Sequence, residues 1–340
     1  MLTLNGQFGE GGGQILRTAL TLSCITRKAF TVQNIRAGRH KPGLRRQHLT
    51  SVMAAAEICD AEVLGADIGS QELAFAPRRP AQAGVYEWEV KSAGAAPLVL
   101  QTVLLPLAMA PGPSEIRVLG GTHVPHSPSG HYLRDVYAPM LVQSGVEVFV
   151  NIERYGWNPK GGGEITCYLE GWSQLHGQDL LERGELERLI GIGLASRLPA
   201  HIPQRMTTHV RKVLDFLEVP VDIRPERDGR SKGEGAGVFL TAEYANGRAG
   251  FSALGEPGVP SEEVAEEAAY TFQVFDAGNA SVDSHLADQL VLVLSLAEGE
   301  STFVTPHITD HLITNRWVIQ QFIQRQITLD EHTGRVDIGA

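Results

Sequence analysis

The chain has 340 residues, 43% of them apolar and 20% charged, with a formal charge of −10 and a pI near 5.7. That length suits two domains, or one domain with an insertion, and the acidity excludes a protein that coats long nucleic acid while leaving room for a local basic pocket around one polynucleotide end or one nucleotide. The three isolated cysteines give no disulfide framework or zinc site, the longest apolar run (98–110) is too short to span a bilayer, and the N-terminus does not read as a signal peptide, so a cytoplasmic protein with no membrane partner is expected.

In chain order the elements repeat. Residues 12–36 (GGQILRTALTLSCITRKAFTVQNIR) predict an apolar-periodic helix, a short turn and a strand, followed by a second amphipathic helix near 44–59. Residues 97–122 (PLVLQTVLLPLAMAPGPSEIRVLGGT) repeat the plan, with a second helix near 131–145. Residues 287–309 (ADQLVLVLSLAEGESTFVTPHIT) repeat it again, with a second helix near 311–325. Paired short strands such as AEVLGADIGSQELAFAP and RQITLDEHTGRVDIG follow each second helix. The fold class expected is α/β (α+β), a sandwich built from one repeated unit. Gln14, Gln101 and Gln289 open the three first helices at spacings of 87 and 188 residues, so about a hundred residues are inserted between the second and third repeats. The division expected is a large domain of residues 1–180 and 277–340, with a small α/β domain at 181–276. Within the latter, the polar loop ERDGRSKGEGAG (226–237) is expected to be flexible.

Five stretches could carry chemistry. GEGGGQ (9–14) brings glycines to a helix N-terminus, where backbone N–H groups can face an anion, although the Walker and dinucleotide spacings are absent and a tight strand-to-helix turn explains it equally. Glu10 is the odd member, because a carboxylate in a phosphate-binding turn repels the phosphate unless a divalent cation sits between them. RAGRHKPGLRRQH (36–48) is the densest basic run, and it reads either as a solvated face or as converging guanidinium groups suited to phosphate. THVPHSPSGH (122–131) lacks a metal-ligand spacing and is expected to line a nucleotide pocket. GWNPKGGGE (156–164) reads as a glycine hairpin with no catalytic residue. HITDHLITN (307–315) places His307 in a loop and His311 at the start of a helix, whose dipole disfavours imidazolium and favours a neutral, nucleophilic ring.

With those residues in view, the sequence resembles the RNA 3′-terminal phosphate cyclases nearly end to end, through GEGGGQILRTALTLS, IRAGRHKPGLRRQHLT, SAGAAPLVLQTVLLP, GWNPKGGGE, HLADQLVLVLSLA and HITDHLITN. The resemblance implies three βαβαββ-type units with a smaller α/β domain inserted before the last. It implies ATP as co-substrate, a divalent cation (Mg or Mn), and RNA 3′-phosphate ends as partner. It carries the catalytic histidine onto His311, ATP contacts onto Gln101, His285, Leu286, Ala287, Asp288 and Gln289, and the metal ligand onto Glu10. Contacts to the triphosphate or RNA end fall on Arg17, Arg36, Arg39 and Gln47. The family often carries an aromatic residue at the place of His285, where imidazole stacks with less area, and its proline across the base falls on Pro128 or gives way to Ser129. Two alternatives are a non-catalytic ribosome-assembly factor of the same fold, which lacks the histidine, and a small-molecule transferase on a similar core. A homodimer is the expected assembly, though no sequence pattern exposes an interface.

Overall fold

The structure is a computed structural model that describes residues 2–339. The first unit runs β1 (Leu2–Asn5), α1 (Gln14–Thr26), β2 (Phe30–Gln33), α2 (Arg46–Cys59), β3 (Glu62–Leu64) and β4 (Leu73–Ala76), with strand order β1-β2-β4-β3. The second runs β5 (Val85–Glu89), α3 (Ala96–Ala108), β6 (Ser114–Gly120), α4 (Gly130–Tyr132), a π-turn over Leu133–Tyr137, α5 (Ala138–Gln143), β7 (Val148–Arg154) and β8 (Gly163–Leu169). Its sheet has order β5-β6-β8-β7.

A two-residue strand, β9 (Asp179–Leu180), comes next, and then a different unit: β10 (Leu186–Ser196), α6 (His201–Val213), β11 (Val221–Asp228), β12 (Gly235–Tyr244), β13 (Gly247–Leu254) and α7 (Ser261–Asp276). The chain closes with α8 (Ser284–Ser295), β14 (Ser301–Val304), α9 (Asp310–Phe322), β15 (Ile327–Leu329) and β16 (Arg335–Ile338). β9 pairs in parallel with β14, which gives a third sheet of order β9-β14-β16-β15. In all three sheets the first two strands of the unit are parallel neighbours and the other pairings are antiparallel. The segment from β10 to α7 therefore interrupts the third unit after its first strand, where the sequence suggested an insertion ahead of it.

The interrupting segment has its own sheet, of order β11-β10-β12-β13, and its own core, in which Met206 and Val210 of α6 and Ala265, Ala268 and Phe272 of α7 are buried. The expected flexible loop is shorter than 226–237, because both strands extend into it. Asp228 fastens what remains by accepting the backbone N–H groups of Arg230 and Ser231 and the Ser231 hydroxyl.

One continuous apolar core joins the three repeated units. α3 explains its shape: every residue of APLVLQTVLLPLA is buried except Gln101, as expected of a helix with neighbours on all sides. α1 packs on α2, α3 and α9, and α8 packs on α9. Side-chain bonds within the first two turns of α1, α8 and α9, and between α3 and α8, gather these N-terminal halves in one place. Among the described residues, no helix is long and apolar enough to cross a membrane.

Candidate active site

Thr309 caps α9 by accepting the Leu312 N–H at 2.9 Å and hydrogen-bonds Asp288 of α8 through its hydroxyl, so the turn carrying His311 is tied to the turn carrying Asp288. One turn along α9, Asn315 is buried and bonded at both ends of its amide. Its Oδ1 accepts from Gln14 Nε2 at 2.9 Å and Thr18 Oγ1 at 2.7 Å, and its Nδ2 donates to the Asp288 carbonyl at 2.6 Å. Three helices are fastened through one amide. Gln14 Oε1 in turn accepts from Arg17 at 2.6 Å.

The glycine loop closes over this base. Gly9 has φ +55°, and a Cβ there would fall 2.2 Å from Thr314 Oγ1, so only glycine lets the loop lie against α9. The Thr314 hydroxyl also accepts the Glu10 N–H at 3.2 Å, which aims the Glu10 carboxylate across the α9 N-terminus. Glu10 forms an ion pair with Arg39, and its Oε2 lies 4.0 Å from His311 Nδ1. Both Oε2 and Nδ1 are buried atoms without a hydrogen-bond partner, while the His311 ring is 45% exposed, so the exposure belongs to the side of the ring away from Nδ1. Burial lowers the His311 pKa, and Arg17, His285 and Arg39 lower it further against the opposing Asp310.

The cations around it are poorly neutralised. Arg17 forms no ion pair among the described residues, and burial pulls its pKa down to about 10. His48 of α2 is buried; desolvation first, then Arg17, Arg36 and Arg45, push it down to about 3, and its Nδ1 accepts the Arg45 N–H at 3.1 Å. A neutral ring beside three guanidinium groups fits a pocket arranged for anionic ligands. A cleft of about 450 Å³ opens here, lined by Gln7, Gly9, Glu10, Gly11, Gly38 and Arg39. A crevice of about 470 Å³ between α5 and the β12–β13 hairpin lies outside this cluster and holds no comparable set of reactive groups.

The structure brings most of the expected residues together. Gln14 opens α1 as expected and turns to Asn315, but Gln101 and Gln289 lie at the sixth positions of α3 and α8, because those helices start five residues earlier, and there Gln101 Nε2 donates to Gln289 Oε1 at 2.5 Å. Burial pushes Asp288 up to about 7, with the Thr309 hydroxyl opposing the shift and Asp283 adding to it. Gln47 Oε1 accepts the Ala95 N–H at 2.9 Å. Arg36 Nη1 donates to the carbonyls of Lys41 and Gly43, each at 2.9 Å, and so braces the basic loop. His285 is exposed, edge-on to Tyr132 at 6.4 Å. Leu286 and Ala287 are fully buried in the core, so only their backbone could face a ligand. Ser129 is occupied as the α4 cap, accepting the Tyr132 N–H at 3.1 Å. His307 is exposed, with Nδ1 3.4 Å from Ser284 Oγ.

The histidine-rich loop 122–131 departs from expectation. His123 and His131 do not line a nucleotide pocket: they are buried, joined Nε2 to Nδ1 at 2.8 Å, and boxed by Tyr155 and Phe239, with Trp157 against His123. The sequence reading missed His48, Thr309, Thr314 and Asn315. The last three sit inside the HITDHLITN stretch, where a threonine ahead of a helix was a legible cap signal; His48 left none.

Among the described residues, no group of three or more His, Cys, Asp or Glu side chains could hold a metal ion. A divalent cation would instead be held by Glu10 together with phosphate oxygens of a ligand, the manner usual for Mg²⁺. The partnerless buried Glu10 Oε2 fits that use.

A family model described as RNA 3′-terminal phosphate cyclase matches residues 8–329. The chain is 46% identical to the RNA 3′-terminal phosphate cyclase of Nostoc punctiforme over 97% of both chains. It is 39% identical to the protein of that name from Pyrococcus abyssi over 98% of this chain and 97% of that one, and 38% identical to that of Salmonella paratyphi C over 99% and 96%. A solved enolpyruvyl transferase, NikO from Streptomyces tendae, aligns at 16% identity over 49% of this chain and 33% of that one with a TM-score of 0.29, too low to bear on fold or function. The chain belongs to the RNA 3′-terminal phosphate cyclase family.

Proposed function

We propose that the chain uses ATP to convert an RNA 3′-terminal phosphate into a 2′,3′-cyclic phosphate, through AMP bound covalently to His311. The observation that carries the reading is the placement of His311 at the N-terminus of α9, with Nδ1 turned to Glu10 and the opposite side of the ring exposed beside Arg17 and Arg39. Family membership and the names of the relatives support the overall reaction.

In the first step the exposed ring nitrogen, Nε2, attacks the α-phosphorus of ATP. A P–N bond forms, the bond from that phosphorus to the bridging oxygen breaks, and pyrophosphate leaves with the electron pair. The ring becomes cationic, and its Nδ1–H faces the Glu10 carboxylate. Arg17 and Arg39 offset charge on the departing pyrophosphate, helped by the N-terminal ends of α1 and α9. A divalent ion held by Glu10 would add Lewis-acid neutralisation of phosphate charge.

In the second step an oxygen of the RNA 3′-phosphate attacks the same phosphorus and the P–N bond breaks, giving RNA(3′)pp(5′)A. In the third, the neighbouring 2′-hydroxyl attacks the RNA phosphorus and AMP leaves. Activation is needed because a phosphate monoester has no good leaving group, and AMP supplies one. We place ATP against Gln101, Asp288, Gln289 and the exposed His285, with Gln47, Arg36 and Arg39 toward the RNA end.

An oligoribonucleotide carrying a labelled 3′-phosphate tests the reaction. With protein, ATP and a divalent metal, the label should become resistant to phosphatase. The same oligomer with a terminal 2′-deoxyribose should accumulate as the adenylylated species, having no nucleophile for the last step. A label that stays phosphatase-sensitive with both oligomers would contradict the reading and favour a binding factor of the same fold.

A further inference from the structure

Two motifs outside the catalytic cluster remain without a use: the glycine triplet of GWNPKGGGE and the GRSKGEG loop of the interrupting unit. The structure joins them. Lys160 of the first and Lys232 of the second are both exposed, and each lays its stem across a glycine of the other loop. A Cβ at Gly162 would fall 2.4 Å from Cδ of Lys232, and one at Gly233 would fall 2.9 Å from Cβ of Lys160. The glycines therefore let each lysine stem lie against the loop of the other unit.

Both loops are held rigidly underneath. Trp157 Nε1 donates to Ser196 Oγ at 2.7 Å, Ser231 Oγ lies 3.2 Å from the same oxygen, and Asp228 fastens Ser231. Arg154 Nε holds the Gly162 carbonyl at 2.6 Å, and Arg154 is itself paired with Glu164 at 3.2 Å. Among the described residues, neither Lys160 nor Lys232 takes part in an ion pair, whereas neighbouring arginines do. Two lysines without a carboxylate partner, set at one loop-to-loop contact in a chain of net charge −10, form a local cationic feature suited to an anionic ligand.

A chain of contacts links this pair to the proposed RNA end. Gly161 packs against the backbone of Ser92 and Ala93, and Gly94 packs against the side chain of Gln47. Gln47, the 92–94 loop, the glycine triplet and the Lys232 loop are thus successive neighbours. We propose that Lys160 and Lys232 together grip backbone phosphates of the single strand upstream of the RNA 3′ end, so that the interrupting unit contributes to RNA affinity and not to nucleotide chemistry. This rests on the cyclase reading for the identity of the strand. It accounts for an acidic protein that needs only a short basic track for one strand.

The test is binding of a fluorescent 3′-phosphorylated oligoribonucleotide, long enough to span these neighbours, beside a 3′-phosphorylated dinucleotide that cannot reach the lysines. The proteins are wild type, Lys160→Ala/Lys232→Ala and Lys160→Arg/Lys232→Arg. The alanine pair should weaken the long oligomer about tenfold and leave the dinucleotide unchanged, and the slope of log Kd against log salt should fall by about 1.4, or ~0.7 for each lost single-strand phosphate contact. The arginine pair should restore both, and labelling by ATP alone should be the same in all three. Unchanged affinity and slope for the long oligomer, or equal loss with both ligands, would overturn the proposal. Because binding is read without turnover, lysine-dependent binding by a protein that never cyclises RNA would sink the cyclase reading alone.

Discussion

His311 Nδ1 and Glu10 Oε2 lie 4.0 Å apart, both buried, and neither has another hydrogen-bond partner. Two unsatisfied atoms facing each other make a poor resting contact but suit a ring that becomes cationic on its other side, since the Nδ1–H then gains a charged acceptor. Glu10→Gln keeps the shape and removes the charge. It is expected to slow formation of the covalent AMP adduct roughly 100-fold, measured by rapid quench with labelled ATP. An unchanged rate would remove Glu10 from the first step.

Asn315 offers a test of the scaffold. Its amide satisfies groups on α1 and α8 at once. Asn315→Ala should lower stability by about 2–3 kcal/mol, because the buried Thr18 hydroxyl and the part-buried Gln14 amide and Asp288 carbonyl each lose a partner, and denaturant unfolding reads this directly. Asn315→Asp should also destabilise, since the group facing the Asp288 carbonyl changes from donor to acceptor. A neutral effect from both would mean that the three helix ends are held by apolar packing alone.

Asp288 should make stability fall as pH rises. Its folded pKa of about 7 exceeds the ordinary 3.8, so the folded chain favours the protonated acid. The cost of ionising it starts as pH passes 3.8, grows up to pH 7 and is complete above, at about 4 kcal/mol. Asp288→Asn removes that cost. The variant should gain Tm relative to wild type at pH 8 and lose the advantage near pH 4. A Tm difference independent of pH would show that Asp288 ionises normally.

Buried imidazoles act on the acid side. Burial holds both His48 and His123 down to about 3, with nearby arginines adding to the shift. Both stay neutral in the folded chain, whereas the unfolded chain takes up protons near pH 6.5. Stability is therefore complete above 6.5 and lost as pH falls toward 3, by about 1.4 kcal/mol per pH unit for each group. Unfolding free energies at pH 6.5, 5.5 and 4.5 check this, and a flat profile would contradict it.

The three first helices were legible because a buried helix writes its period into the chain, and a polar residue in an apolar run such as LVLQTVL needs a reason, although two of the three begin five residues before their glutamines. Their meeting was not, since nothing local states that Gln101 reaches Gln289. β9 escaped notice because two residues carry no strand pattern; it exists through pairing with β14, far later in the chain. The histidine loop misled for a related reason. His123 and His131 look like polar loop residues until Phe239, from the interrupting unit, closes over them. The position of His311 at a helix start was readable locally, but its role came only from the family resemblance, and its carboxylate neighbour comes from the opposite end of the chain.

The most direct measurement is label transfer from α-³²P-ATP to the protein, with metal present, followed by denaturation and a test for acid-labile, alkali-stable label. Wild type and His307→Ala should carry the label, and His311→Ala should carry none while keeping the wild-type Tm. Label on folded His311→Ala, or none on folded wild type across a range of ATP and metal concentrations, would contradict the account.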